Sequence, residues 1–101
     1  MAKTPEKKVK DMVVEILKSR GAYYFYPVTG GFGRSGIPDI VGCYRGIFIA
    51  IECKAGKNKP TALQIAEMAK IDKAGGVSMW VNENDIYVVE EALNLIDEDM
   101  R

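Results

Sequence analysis

The chain has 101 residues, which allows one domain with its own hydrophobic core. It contains no histidine, which excludes imidazole-ligated zinc sites, histidine acid–base catalysis and serine or cysteine triads. No apolar run approaches the ~20 residues of a membrane-spanning helix, and the first residues lack the apolar core of a signal peptide, so we expect a cytoplasmic protein that contacts no membrane.

The net charge is zero, but the charges are unevenly distributed along the chain. Residues 1–60 carry eleven Lys or Arg and five Asp or Glu, whereas the remainder carries three and nine. This asymmetry predicts a basic face suited to a polyanion, with ordinary solvated surface charge as the alternative.

The first half of the chain predicts a helix, a short strand and a loop. Thr4-Pro5 is a typical helix start, and apolar residues recur from Val9 to Leu17 at helical spacing. The aromatic run 23–26 predicts a strand, whose rings either pack in the core or stack on bases. Residues 30–36 are too rich in glycine for a regular element and predict a loop.

The second half predicts a mixed sheet flanked by helices. Strands are expected at 38–44 and 47–53, and the second is apolar enough to be a central strand. Thr61 and Gln64 have capping-box spacing, which predicts a helix that ends at Gly75-Gly76. Further strands are expected at 77–81 and 86–89, followed by an acidic helix at 90–100. The fold class is therefore α/β, in a single domain over residues 1–101.

The hairpin between the two central strands predicts a pair of opposed carboxylates. If Arg45-Gly46 is a two-residue turn, Asp39 stands directly opposite Glu52. Alternation along the strand puts Lys54 on the same face as Glu52. Opposed carboxylates repel, and a carboxylate at the end of an apolar strand also carries a desolvation cost. A divalent cation with a neighbouring ammonium is the simplest compensation.

These residue types fit the hydrolysis of a phosphodiester. Carboxylate oxygens suit a hard ion such as Mg²⁺ or Mn²⁺, which polarises the phosphate and acidifies bound water. Lys54 would orient the water or stabilise the developing charge. The glycine loop allows close approach of a phosphate, and we expect Arg34, Ser35 and Lys57 to contact the nucleic acid.

The ordered motif resembles a known family. Gly36-Ile37-Pro38-Asp39, followed by Glu52-Cys53-Lys54, is similar to the PD-(D/E)-x-K nucleases. Glu15 on the first helix and Gln64 at the start of the next make the likeness closest to the VRR-Nuc branch, the virus-type replication-repair nucleases.

The resemblance implies a restriction-endonuclease-like core and a metal-dependent endonuclease for branched or flapped DNA in replication, recombination or repair. Asp39, Glu52 and the backbone carbonyl of Cys53 would hold Mg²⁺ or Mn²⁺, and Lys54 would be the catalytic lysine. Glu15 would contact a second metal, directly or through water. A phage origin and a bacterial host cytoplasm are also implied.

Other interpretations stay open at this point. Periodicity alone makes Glu15 a solvated side chain, and Gln64 is explained by its cap. The chain as a whole could be a silent nucleic-acid-binding module that keeps the fold, or a phosphoesterase for small substrates. Because cutting two strands needs two active sites, we expect a homodimer, through either the aromatic strand or the last helix.

Overall fold

The computed structural model describes residues 3–28 and 35–100, which form three helices and one four-stranded sheet. The elements run in the order α1 (Pro5–Ser19), β1 (Tyr23–Phe25), β2 (Ile40–Tyr44), β3 (Ile47–Cys53), α2 (Ala62–Lys73), β4 (Val77–Val81) and α3 (Tyr87–Asp99). No helix among the described residues has the length and apolarity that crossing a membrane requires.

The sheet is mixed, as predicted. Its order is β1-β2-β3-β4, with the first three strands antiparallel and β4 parallel to β3. The β3 strand is therefore central, and its last five residues are all buried. The crossover through α2 is what allows β4 to run parallel to β3.

The two faces of the sheet are covered unequally. On one face α1 and α3 enclose the main core, which includes Val13, Leu17, Ile51 and Leu93. The other face carries α2, which packs on β4: the Ser78 hydroxyl donates to the carbonyl of Met68 at 3.2 Å. The helices thus leave part of the β1–β2–β3 surface on the α2 side exposed, including Tyr23 and Phe48.

Helix starts follow the sequence closely. Thr4 caps α1, its hydroxyl accepting from the backbone N–H of Lys7 at 3.1 Å, and proline occupies the first turn. Thr61 and Gln64 form the predicted capping box of α2. Both helices therefore begin at residues fixed by local chemistry.

The predicted strand at 86–89 is wrong, because these residues open α3. Val89, Leu93 and Ile96 are its buried residues, at intervals of four and three, so helical spacing outweighs the β preference of the branched side chains. An Asx turn precedes the helix: Asn84 N–H donates to Asn82 Oδ1 at 2.8 Å. The closing helix starts at Tyr87 rather than at Glu90.

Candidate active site

The β2–β3 hairpin brings Asp39 and Glu52 together. Arg45 (φ 52°) and Gly46 (φ 85°) form a two-residue turn with positive φ at both positions. The register pairs Ile40 with Ile51, so Asp39, directly before β2, stands opposite Glu52. The Asp39 N–H donates to Glu52 Oε1 at 3.1 Å, and the Cys53 N–H donates to Asp39 Oδ2 at 3.0 Å. The predicted opposition is confirmed.

Glu52 is a buried carboxyl with a set of donors around it. Only 2% of the residue is exposed. Its Oε2 lies 3.2 Å from Lys54 Nζ and accepts a short hydrogen bond from Gln64 Nε2. Burial, and after it the charge of Asp39, raises the pKa of Glu52 to about 7, against the opposing effect of Lys54. Burial and the neighbouring acid thus both disfavour the ionised form of Glu52.

The Gly36–Pro38 turn packs against the start of α2 and so brings Asp39 and Glu52 close to this helix. Gly36 has φ 82°, and a Cβ built there would lie 2.5 Å from the carbonyl oxygen of Leu63. A side chain is thus excluded by space as well as by backbone conformation. This close approach places Asp39 next to the first turn of α2, from which Gln64 reaches Glu52.

Gln64 caps α2 and contacts Glu52 at the same time. Its Oε1 accepts from the backbone N–H of Thr61 at 2.8 Å, which completes the capping box. Its Nε2 donates to Glu52 at the same time. The cap therefore fixes the side chain in the orientation in which it contacts the buried carboxyl.

On α1, Glu6 rather than Glu15 shares a cavity with Asp39. A cleft of about 350 Å³ is lined by Thr4, Glu6, Lys7, Lys10 and Asp39. Glu15 is exposed and lies nine residues from Glu6, roughly 180° around the helix. It therefore points away from the sheet, and the helix carboxylate that accompanies Asp39 is Glu6.

Sequence reasoning missed Glu6 although a signal was present. Glu6 lies seven residues, two helical turns, before Val13, so it continues the apolar stripe of α1 toward the helix start. An acid on the buried side of an amphipathic helix is unusual, and here it meets the sheet beside Asp39. Lys10, one turn further along the same face, was also missed.

Of the remaining predicted residues, the structure describes Cys53, Ser35 and Lys57. The Cys53 side chain is buried in the core, where burial raises the pKa of its thiol to about 12, so it is no nucleophile. Ser35 and Lys57 are exposed, the latter in the β3–α2 loop. Glu83 holds this loop by accepting from the Gly56 N–H at 3.0 Å. Arg34 lies outside the described residues.

The donor set fits a hard divalent cation. Within the described residues there is no group of three or more His, Cys, Asp or Glu arranged to hold a metal. Mg²⁺ does not need one, since it usually keeps several waters and binds through one or two carboxylates. An ionised carboxylate accepts about four hydrogen bonds, and among the described residues one donor, the Cys53 N–H, engages the Asp39 carboxylate. Two opposed acids with free acceptor positions thus suit Mg²⁺ or Mn²⁺.

Known proteins similar to this chain include a phage protein and a solved structure. The chain is 33% identical over 86 residues to a protein of Acyrthosiphon pisum secondary endosymbiont phage 1 named "Putative nuclease p44", covering 84% of this chain and 89% of that protein. A solved structure described as a VRR_NUC domain superposes with a TM-score of 0.70 at 23% identity, covering 88% of this chain and 97% of the other. No family model matches. The likeness to the phage protein shows that the chain belongs to the same nuclease family as that protein, and the superposition shows that its fold is that of the VRR_NUC domain.

Proposed function

We propose that the protein is a Mg²⁺- or Mn²⁺-dependent endonuclease that hydrolyses phosphodiester bonds in branched DNA. The observation that carries the proposal is the buried Glu52 opposite Asp39, with Lys54 and Gln64 on the same carboxyl. Such an arrangement is costly for a protein that only binds, because opposed acids repel both each other and a nucleic acid. A catalytic role accounts for this unfavourable arrangement, because a bound cation would offset the repulsion between the two acids.

The residues divide the work as follows. Asp39 and Glu52 would hold the cation, with Glu6 as a further acid in the cleft and the Cys53 carbonyl as a predicted ligand. When bound, the cation supplies Lewis-acid polarisation of the phosphate and activation of water. Lys54 Nζ, 3.2 Å from Glu52, places a positive charge where the phosphate becomes more negative during attack. Gln64 keeps the Glu52 carboxylate oriented.

The proposal includes branched DNA as the substrate and a homodimer as the active assembly. A flap joins an unpaired strand to a duplex, and a four-way junction joins four duplex arms. A homodimer would bring one active site to each of two strands. Ser35 and Lys57 are exposed beside the site and are proposed to contact phosphates, as is Arg34. The phage source of the relative is compatible with action in a bacterial host cytoplasm.

The test is a cleavage assay with labelled four-way junction, 5′-flap and linear duplex DNA, each with Mg²⁺, Mn²⁺ or EDTA. Wild type is compared with Glu52→Ala and with Glu91→Gln, a control at an exposed position of α3. We expect metal-dependent cutting that Glu52→Ala abolishes and Glu91→Gln retains, with branched substrates cut fastest. DNA binding without any cutting would instead identify a silent binding module.

A further inference from the structure

One cation in the cleft of Asp39 and Glu6 has no carboxylate partner among the residues that the structure describes. Lys10 lines the cleft that contains Asp39 and Glu6, and within the described residues its ammonium takes part in no ion pair. Lys7, in the same cleft, differs in this respect, because its Nζ lies 2.6 Å from Asp11 Oδ1. Lys10 is therefore the cleft lysine whose charge is left available for a ligand.

An aromatic ring holds this ammonium. Lys10 Nζ lies 5.4 Å from the centroid of the Tyr26 ring, within range of a cation–π contact. Tyr26 follows the end of β1 and is 44% exposed, and Tyr24 supports its ring from the side, with centroids 6.2 Å apart. A supported but accessible ring thus stands next to an unpaired cation at the edge of the acidic cleft.

We propose that Lys10 and Tyr26 form a subsite for one nucleotide next to the bond that is cut. Lys10 binds the phosphate of this nucleotide, and the exposed part of the Tyr26 ring stacks on its base. The inference rests on the proposed nuclease function, because it assumes that a DNA strand enters the Asp39 cleft.

The chemistry of the subsite selects an unpaired nucleotide. A phosphate that approaches two or three carboxylates needs a compensating positive charge, which Lys10 supplies from the same cleft. A base inside a duplex is covered on both faces by its neighbours, so its ring is accessible to Tyr26 only when the strand is single or frayed. The subsite therefore favours cutting where paired and unpaired DNA meet.

The first experiment measures binding separately from cutting. In a Glu52→Gln background, a fluorescent 5′-flap DNA is titrated at several salt concentrations, with and without Lys10→Met. The control is Lys8→Met, an exposed lysine on the same helix that points roughly 160° away from Lys10. Loss of one phosphate contact should lower the slope of log K against log salt by roughly 0.7 to 0.9, and Lys8→Met should not.

The second experiment tests stacking. Tyr26→Phe keeps the ring, whereas Tyr26→Leu removes it. We expect Tyr26→Leu to weaken binding of the flap by about five-fold or more, with little effect on blunt duplex, and Tyr26→Phe to bind like its parent. Thermal unfolding of each variant checks that the fold is retained. If the Leu variant unfolds, the salt dependence of Lys10→Met still tests the subsite.

The outcomes separate this inference from the nuclease proposal. If wild type cuts DNA but Lys10→Met and Tyr26→Leu bind as their parent does, the subsite is overturned and the nuclease stands. If wild type cuts nothing while the two losses appear, Lys10 and Tyr26 bind a nucleotide in a protein that does not cut, and the nuclease proposal falls. Equal losses on flap and duplex, or no binding by the parent, would also overturn the subsite.

Discussion

The surroundings of Glu52 favour the protonated form of its carboxyl group. Burial, with the charge of Asp39, raises its pKa to about 7 from an ordinary value of 4.5. Between these two pH values the folded state binds more protons than the unfolded chain, so this group's contribution favours folding at low pH and is lost as the pH rises through about 7. A cation that binds at this carboxylate must displace the same proton.

Metal binding is therefore expected to release a proton in acidic solution. Calorimetric titration of Mg²⁺ at pH 6, in two buffers of different ionisation enthalpy, should show release approaching one proton, and release should vanish well above pH 7. Affinity for Mg²⁺ should rise with pH over the same interval. Binding with no buffer dependence at pH 6 would mean that Glu52 is already ionised or does not bind the metal.

Glu6 and Glu15 lie on opposite sides of α1, so substitutions at the two positions can be compared directly. Glu6→Gln should lower kcat/KM by at least about ten-fold, equivalent to ~1.4 kcal/mol, because an acid leaves the cleft that contains Asp39. Glu15→Gln, on the opposite side of α1, should have no effect. Steady-state cleavage of a flap substrate measures both. The reverse pattern would restore Glu15, which the family motif suggests, as the functional acid.

At the scale of elements, a residue that caps the start of α2 also contacts the candidate active site. Thr61 and Gln64 cap the helix reciprocally, and the same Gln64 amide reaches Glu52. The helix could be capped equally well by a residue that points away from the sheet. The glutamine thus contacts Glu52 in addition to capping the helix.

Two substitutions separate these roles. Thr61→Ala and Gln64→Ala should each lower the free energy of unfolding by about 1 kcal/mol, because each breaks the capping box. Only Gln64→Ala should also slow cleavage, because only it removes a donor from Glu52. Urea denaturation and single-turnover cleavage supply the two readouts. Equal activity of both variants would leave Gln64 a purely structural residue.

The elements also show where sequence patterns are reliable. The turn Arg45-Gly46 and the alternation of β3 predicted the opposition of Asp39 and Glu52 because register in a two-residue hairpin is decided within a few residues. The prediction of a strand at 86–89 was wrong because its local pattern did not decide between strand and helix. A short branched apolar run fits either period, and packing of Val89 and Leu93 into the core selects the helix.

At the scale of the whole molecule, the charge asymmetry of the sequence is partly cancelled by folding. Arg20 lies 2.9 Å from Asp97 and 3.2 Å from Glu90, and Arg45 lies 3.0 Å from Asp97. These basic residues of the first half are thus paired with acids of the second half, at the hairpin-turn end of the sheet. They cannot belong to a free basic face.

The predicted homodimer can be assigned to a surface by experiment. Tyr23, Cys43 and Phe48 occupy one row across three neighbouring strands, on a sheet face left exposed by α2. Leu95 is an exposed apolar residue on α3, the other surface considered. In sedimentation velocity we expect wild type and Leu95→Glu to be dimers and Phe48→Glu a monomer, because a charge in the apolar row opposes burial.

The reverse pattern would place the contact on α3, and a monomeric wild type would remove the dimer from the proposed function. Circular dichroism of Phe48→Glu excludes unfolding as the cause of dissociation. The cleavage products add a second readout, since a monomer should nick one strand of a four-way junction rather than cut two.

The starts of α1 and α2, the hairpin register and the Asp39–Glu52–Lys54 group follow from short-range chemistry, and they were accessible without coordinates. Caps, tight turns and strand alternation act over fewer than ten residues or extend a register set by such a turn. The partners of that group were not accessible in this way. Whether Glu6 or Glu15 faces Asp39 depends on how α1 lies on the sheet. Whether Gln64 contacts Glu52 depends on the close packing of Gly36 against α2. Packing between distant segments decides such contacts, because each helix must bury its apolar stripe against the sheet before its polar residues acquire neighbours.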